Sequence, residues 1–269
     1  MSDRQLHRSR DGARVSAALV CALVCALGAA SIVACTHSAS RASESAPAAE
    51  SADAIIAHYY RAIGGHDRLE RITSRHMWGV YSEGNFSATT DMAWKRPMWR
   101  RVNVHAPGYD YSEGFDSLTW EYGFQSKKFI VDTGAAAAAG RRGAEFDESF
   151  VDAASKGHQV SLVGAERFAD RPAHRVRVSL ADGWEKEYVF DDSTGLIVAL
   201  RKAMPIHATG APVTSVTVYD DWRTEGGVLQ PHRFIERELQ TGRLMNTLQW
   251  DSIRTNVDLG ERELGRPGH

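Results

Sequence analysis

The sequence predicts a mainly β (α+β) domain: a strongly curved antiparallel sheet or half-open barrel of about ten to thirteen strands, with helices covering its concave face. Three observations carry this expectation. Residue character alternates with period two over many short runs. Glycine-containing turn signals separate those runs at short intervals. Two helical stretches, one ahead of the strands and one among them, can lie inside a sheet too long to remain open and flat.

The elements follow in order from Ser51. Ala54, Ile55, Ile56, Tyr59, Tyr60 and Ile63 keep helical spacing, and Gly64-Gly65 stops the helix. Asp67 heads a short second turn carrying Leu69 and Ile72. The period then becomes two: Phe86, Ala88, Thr90, Met92 and Trp94 alternate with polar or small neighbours. Turn signals at Glu83-Gly84, Asp182-Gly183, Ser193-Thr194-Gly195, Glu225-Gly226-Gly227 and Thr241-Gly242 divide the chain. They leave strands near 74–83, 85–95, 98–105, 109–116, 117–124, 128–132, 159–167, 173–181, 184–191, 196–203, 213–223, 228–239 and 243–254. Asp182-Gly183 between two alternating runs is a strong hairpin signal. Tight turns at this spacing favour a meander over parallel βαβ units. Gly134–Gly143, an Ala/Gly stretch, reads as a mobile loop, and Glu145–Lys156 reads as a crossover helix ending at Gly157.

The amino terminus reads as an address. Residues 1–14 carry four arginines, and residues 15–34 carry no charge, the layout of a secretory signal. The apolar run ends Ile32-Val33-Ala34-Cys35, which resembles the lipobox of bacterial lipoproteins. That resemblance implies a signal peptide over 1–34, acylation of Cys35, with palmitate among the acyl chains, and a Ser/Ala-rich tether to residue 50. Each buried methylene of an acyl chain contributes about 0.8 kcal/mol to membrane attachment. Thr36, in place of the Asp that retains enteric lipoproteins in the inner membrane, implies the outer membrane facing the periplasm. The domain then spans 51–258, with a polar tail at 259–269.

Composition limits the chemistry. The chain has 269 residues, with 32 Lys+Arg against 34 Asp+Glu, and its three cysteines all lie within the first 35 positions. The body therefore has no disulfide framework and no Cys-ligated metal site. Beyond residue 35 stand 28 basic and 32 acidic residues, a balance that excludes a general nucleic-acid binder. No His-Glu-x-x-His, Gly-x-Ser-x-Gly, P-loop or Gly-x-Gly-x-x-Gly motif is present. The eleven histidines are scattered, so neither a metal, a cofactor nor a catalytic residue is expected. A hydrolase would need distant residues such as His232 and Asp220 to converge. Asp191-Asp192 precedes a Ser-Thr-Gly turn, where Asp caps backbone amides. Tryptophans spread over many strands either line an apolar concavity or fill the core beneath it. Trp78, Trp94, Trp120, Trp222 and Trp250 are the candidate ligand-lining residues, and Trp94 and Trp99 fall on opposite faces.

Residues 52–258 resemble the LolA/LolB-like superfamily of outer-membrane lipoprotein-sorting carriers and their uncharacterised relatives. The resemblance rests on the leading Ile55-xx-His58-Tyr59-Tyr60-xx-Ile63-Gly64-Gly65 helix, and on Gly164-Ala165-Glu166 followed by Arg171 to Val176. Asp191-xx-Thr194-Gly195-Leu196, Tyr219-Asp220-Asp221-Trp222 and Gly226 to His232 complete it. It implies a lipid-anchored, non-enzymatic envelope protein that binds a lipid or other hydrophobic ligand in a curved sheet, lipoprotein acyl chains being one candidate. An envelope protein partner on the same sheet, without a ligand cavity, is the alternative.

Overall fold

A computed structural model describes residues 50–204 and 213–267. Cys35, the signal segment and the tether before Glu50 lie outside the described residues. The first helix, α1 (Ala52–Ile63), starts at Ser51, whose hydroxyl accepts the Ala54 amide at 3.1 Å. Asp53 in its first turn and Arg61 in its last match the helix dipole. It buries Ile55, Ile56, Tyr59 and Ile63 and ends at Gly64 with φ of 110°. A Cβ there would lie 2.8 Å from the Gly227 carbonyl oxygen. Gly64 thus serves both the left-handed cap and the close approach to a strand turn. A single-turn α2 (His66–Glu70) buries Leu69.

The strands come in two meanders. The first contains β1 (Ser74–Glu83), β2 (Phe86–Lys95), β3 (Trp99–Ala106), β4 (Tyr109–Phe115), β5 (Thr119–Gly123) and β6 (Lys128–Val131). After α3 (Gly134–Gly143), the second contains β7 (Gln159–Phe168), β8 (Arg171–Ser179), β9 (Glu185–Asp191) and β10 (Ile197–Met204). It continues through β11 (Val213–Glu225), β12 (Val228–Glu238) and β13 (Leu244–Thr255). Among the described residues these form one 13-stranded sheet, ordered β6-β5-β4-β3-β2-β1-β13-β12-β11-β10-β9-β8-β7. The antiparallel β1–β13 pair, Arg75 opposite Thr255 and Met77 opposite Ile253, joins the meanders. The edges β6 and β7 stay unpaired with each other, so the curved sheet is a half-open barrel. Alternation and turn chemistry account for it, and each expected strand has its counterpart.

The connection between the meanders inverts one expectation. Gly134–Gly143 is a helix, not a mobile loop, and 145–156 is a run of turns, not a helix. Five consecutive alanines carry the best helix propensity, enough to hold a short helix among glycines. Across 144–158, which we term the strap, hydrogen bonds such as Val151 to Glu148 and Ser155 to Asp152 close isolated turns, and Asp152 takes φ of 50°. Phe146, Phe150 and Val151 are buried together. Tertiary burial has overridden the helical pattern here. The stretch from residue 259, read as a polar tail, contains α4 (Glu261–Leu264). Leu259 and Leu264 pack on Ala93, and Arg266 pairs with Asp116 at 2.7 Å.

Strand parity fixes the faces. Arg75 and Trp94, directly opposite across β1–β2, both bond strap carbonyls, so they point into the concavity. Their neighbours His76 and Ala93 point to the convex face, which the C-terminal segment covers. The largest apolar cluster joins α1 and the strap to inward residues of β8 to β12. Among the described residues, no helix is long and apolar enough to cross a membrane.

Candidate functional site

The concave face has two ends of different character. At the apolar end, the Phe150 ring meets Tyr59, Tyr188 and Phe190 edge-on, with centroids 5.3, 5.0 and 5.6 Å away. The strap supplying Phe150 is pinned by polar anchors. Asp147 pairs with Arg96, while Arg75 Nη1 donates to the Phe146 carbonyl at 3.0 Å with its guanidinium 4.3 Å from the Phe146 ring centroid. Lys186 Nζ donates to Ser149 Oγ at 2.7 Å, which donates to Glu145 Oε2 at 2.6 Å. Tyr219 Oη donates to Glu148 at 3.1 Å. Burial sets the protonation preferences: it holds the Lys186 ammonium below the usual lysine range and pushes the Asp147 and Glu148 carboxyls up.

Ser149 beside Lys186 has the spacing of a nucleophile and its base. Ser149 has no exposed surface, however, so no substrate reaches its hydroxyl in this arrangement.

At the other end α3 roofs a cavity of about 310 Å³ lined by Arg100, Glu113, Glu121, Asp132, Lys202 and Glu236 among others. Two bonds fix the roof: Thr119 Oγ1 to the Ala137 carbonyl at 2.9 Å and Arg100 Nη1 to the Gly143 carbonyl at 3.0 Å. Arg100 also pairs with Glu113. Glu236 accepts from Ser215 at 2.6 Å and Asn246 at 2.9 Å, with Lys202 at 3.6 Å. Burial alone would raise the Glu236 carboxyl, but Lys202 and these bonds hold it below the usual range. Asp132 is pushed up by burial and by Glu113.

The five candidate tryptophans do not share one wall. Trp94, Trp222 and Trp250 pack on the concave side: Trp94 Nε1 bonds the Ala144 carbonyl at 2.9 Å, Trp250 packs with Met77 and Ile253, and Trp222 lies beside Tyr219. Trp78, with His76 at 4.0 Å and Arg254 at 5.3 Å, shares the convex face with His76. Trp120, opposite Gly114 and fully buried, also turns away from the concavity, because its neighbour Thr119 bonds α3. None of the five lines the 310 Å³ cavity.

His232 and Asp220 do not converge. His232 is buried with Nδ1 2.9 Å from the Trp250 carbonyl, whereas Asp220 is exposed and faces Arg233. His66 has Glu70 at 3.8 Å and Asp152 at 3.7 Å, a half-exposed group with the ligand types of a metal site but no enclosing shell. Asp191 caps its turn as expected, accepting the Ser193 and Thr194 amides at 3.0 and 2.8 Å. The charged lining of the cavity was missed in the sequence. Glu113 and Glu121 on alternating runs at inward parity were the available signal.

Comparison with known proteins bears on the fold. No protein-family model matches the chain, and no curated protein sequence matches it. Among solved structures, a DUF1329 family protein from Desulfovibrio piger is 11% identical with a TM-score of 0.57, covering 79% of this chain and 96% of its own. The LolA superfamily protein NE2245 from Nitrosomonas europaea is 12% identical with a TM-score of 0.54, covering 81% and 99%. An outer-membrane lipoprotein-sorting protein domain from Vibrio parahaemolyticus is 11% identical with a TM-score of 0.51, covering 74% and 93%. The molecule therefore belongs to the class of open, helix-lined antiparallel half-barrels. More narrowly, its fold is the LolA/LolB-like fold.

Proposed function

We propose that the chain is a lipid-anchored protein of the bacterial envelope, attached through Cys35, that binds a hydrophobic or amphiphilic ligand on its concave face without catalysing a reaction. The observation that carries this reading is how the apolar inner surface is covered. Among the described residues α1, the short α2 and the strap lie on it, rather than a second sheet, and ionic anchors at 145–149 hold the strap in place. A ligand chain that displaced Phe146 and Phe150 would exchange one apolar contact for another at little net cost, since burial contributes about 25 cal/mol per Å² on either side. In the proposed arrangement the polar end under α3 accommodates the head of such a ligand.

Two measurements test it. Metabolic labelling should place acyl chains on the wild-type chain and not on Cys35→Ala, which should leave the membrane fraction. The full chain should also bind a fluorescent fatty acid saturably and carry co-purifying lipid detectable by mass spectrometry. Absence of both ligand signals sinks the ligand part of the proposal. The filling of the apolar end by the protein's own side chains favours a second reading, an envelope protein-interaction module, which that outcome would support.

A further inference from the structure

The polar end of the concavity carries chemistry that hydrophobic-ligand binding does not use. Glu113 on β4 and Glu121 on β5 stand directly opposite each other. Like charges in that relation are disfavoured unless something offsets them. Asp132 and Glu236 line the same cavity, and its cations are Arg100 and Lys202, each already paired with a carboxylate. Carboxylates thus outnumber cations two to one.

A second feature lies beside the first and is joined to it where the Tyr111 hydroxyl donates to Glu121. The Tyr81 ring, which lines the cavity, is 6.5 Å from Phe86; Phe86 is 6.0 Å edge-on from Tyr109, and Tyr109 stacks on Tyr111 at 6.1 Å. All four side chains are at inward parity: Phe86 shares that of Trp94, and Tyr109 and Tyr111 share that of Glu113. Phe86 and Tyr109 remain 38% and 45% exposed. Folding alone does not call for an exposed ladder of aromatic rings beside a charged cavity. Ring faces with carboxylates nearby are what a desolvated organic cation requires, because the ring quadrupole and the carboxylates attract it together. An anion would find both cations engaged, and an apolar group would strand the carboxylates.

We propose that the cavity under α3, with the Tyr81–Phe86–Tyr109–Tyr111 ladder at its side, is a binding site for an alkylammonium group, quaternary or primary. This deepens the proposed function and rests on it in taking the concave face as the binding face. The group is either a free small cation or the head of a cationic amphiphile whose chain runs toward the apolar end.

The test is titration calorimetry on the full chain in nonionic detergent with choline, its neutral isostere 3,3-dimethylbutan-1-ol, and hexyltrimethylammonium. Choline should bind saturably, and the isostere at least about tenfold more weakly. Tighter binding of hexyltrimethylammonium identifies an amphiphile head, and equal binding identifies a free cation. Glu121→Gln should weaken choline about tenfold, and Tyr109→Ala, at an exposed position that leaves the fold intact, about three- to tenfold. No saturation by about 10 mM choline, equal binding of the isostere, or unchanged affinity in both variants overturns the assignment. If fatty acid still binds in those cases, the inference fails while the proposed function stands.

Discussion

Beneath α1 and the strap, the inner face of β8 to β11 is packed by Tyr59, Phe150, Tyr188 and Phe190, whereas beneath α3 the inner face of β3 to β5 presents Arg100, Glu113 and Glu121 to an open cavity. Both ends belong to one continuous sheet, the first covered by α1 and the strap and the second by α3. The difference lies in what the covering segment brings. The strap carries large apolar side chains and replaces water. The alanines and glycines of α3 reach no depth and leave space below. An open half-barrel can therefore assign stability to one end and leave the other free for recognition. The predictions below break or sharpen that division, from the largest expected effect to the smallest.

Phe150→Ala removes the ring on which Tyr59, Tyr188 and Phe190 converge. Loss of a buried phenyl group in such a cluster costs about 3–5 kcal/mol, read as a lowered denaturant midpoint. A loss under about 1 kcal/mol would show that the apolar end is loosely filled. It would also make displacement of the strap by a ligand easier than supposed.

Asp147→Ala tests the anchors rather than the packing. Asp147 is 6% exposed at its side chain and pairs with Arg96 near the buried Arg75. Removing it strands cationic charge, a change that costs about 3 kcal/mol in comparable buried pairs. Limited proteolysis should then cut within 144–158 faster than in the wild type. Unchanged cleavage would mean that Phe146 and Phe150 alone hold the strap.

These anchors also mark where the sequence stopped being informative. Strands were legible because period-two alternation and turn residues are local, and Asp182-Gly183 needs no distant partner to define a hairpin. The helix at 134–143 and the turns at 145–156 were exchanged because the conformation of the strap is set by bonds from Arg75, Lys186 and Tyr188, 37 to 71 positions away along the chain. The division of the tryptophans depends on register. A bulge between Trp78 and Gly79 shifts the β1–β13 pairing, so parity counted along one strand does not carry to the next. The polar cavity joins β1, β3 to β5, β10, β12 and β13, and no single run reports such a meeting.

Glu148 gives a pH-dependent version of the comparison. Burial raises its carboxyl above the unfolded value, so the folded state holds the proton more tightly. Its contribution to stability is fully present below the unfolded pKa and is lost as pH rises through the folded one. Glu148→Gln lacks this loss. The melting temperature of the variant relative to wild type should therefore climb as pH increases from about 4.5 and then level off. A difference that shrinks with rising pH would show that Lys186, not burial, governs this carboxyl.

The smallest effect belongs to the open end. Glu121→Gln and Asp132→Asn remove like charges that face Glu113 without removing packed volume. Neither side chain carries the core, so each should alter stability by no more than about 0.5 kcal/mol, in the stabilising direction because repulsion with Glu113 is relieved. Both should blunt cation binding in the same samples. A substitution that leaves the fold unchanged or slightly firmer while weakening a ligand is the signature of a side chain retained for recognition. If Glu121→Gln instead destabilises by 2 kcal/mol or more (the range of about 1–3 kcal/mol for a buried polar partner left unsatisfied), the bond that Glu121 accepts from Tyr111 carries structure rather than recognition. The two ends of the concave face would then both be core.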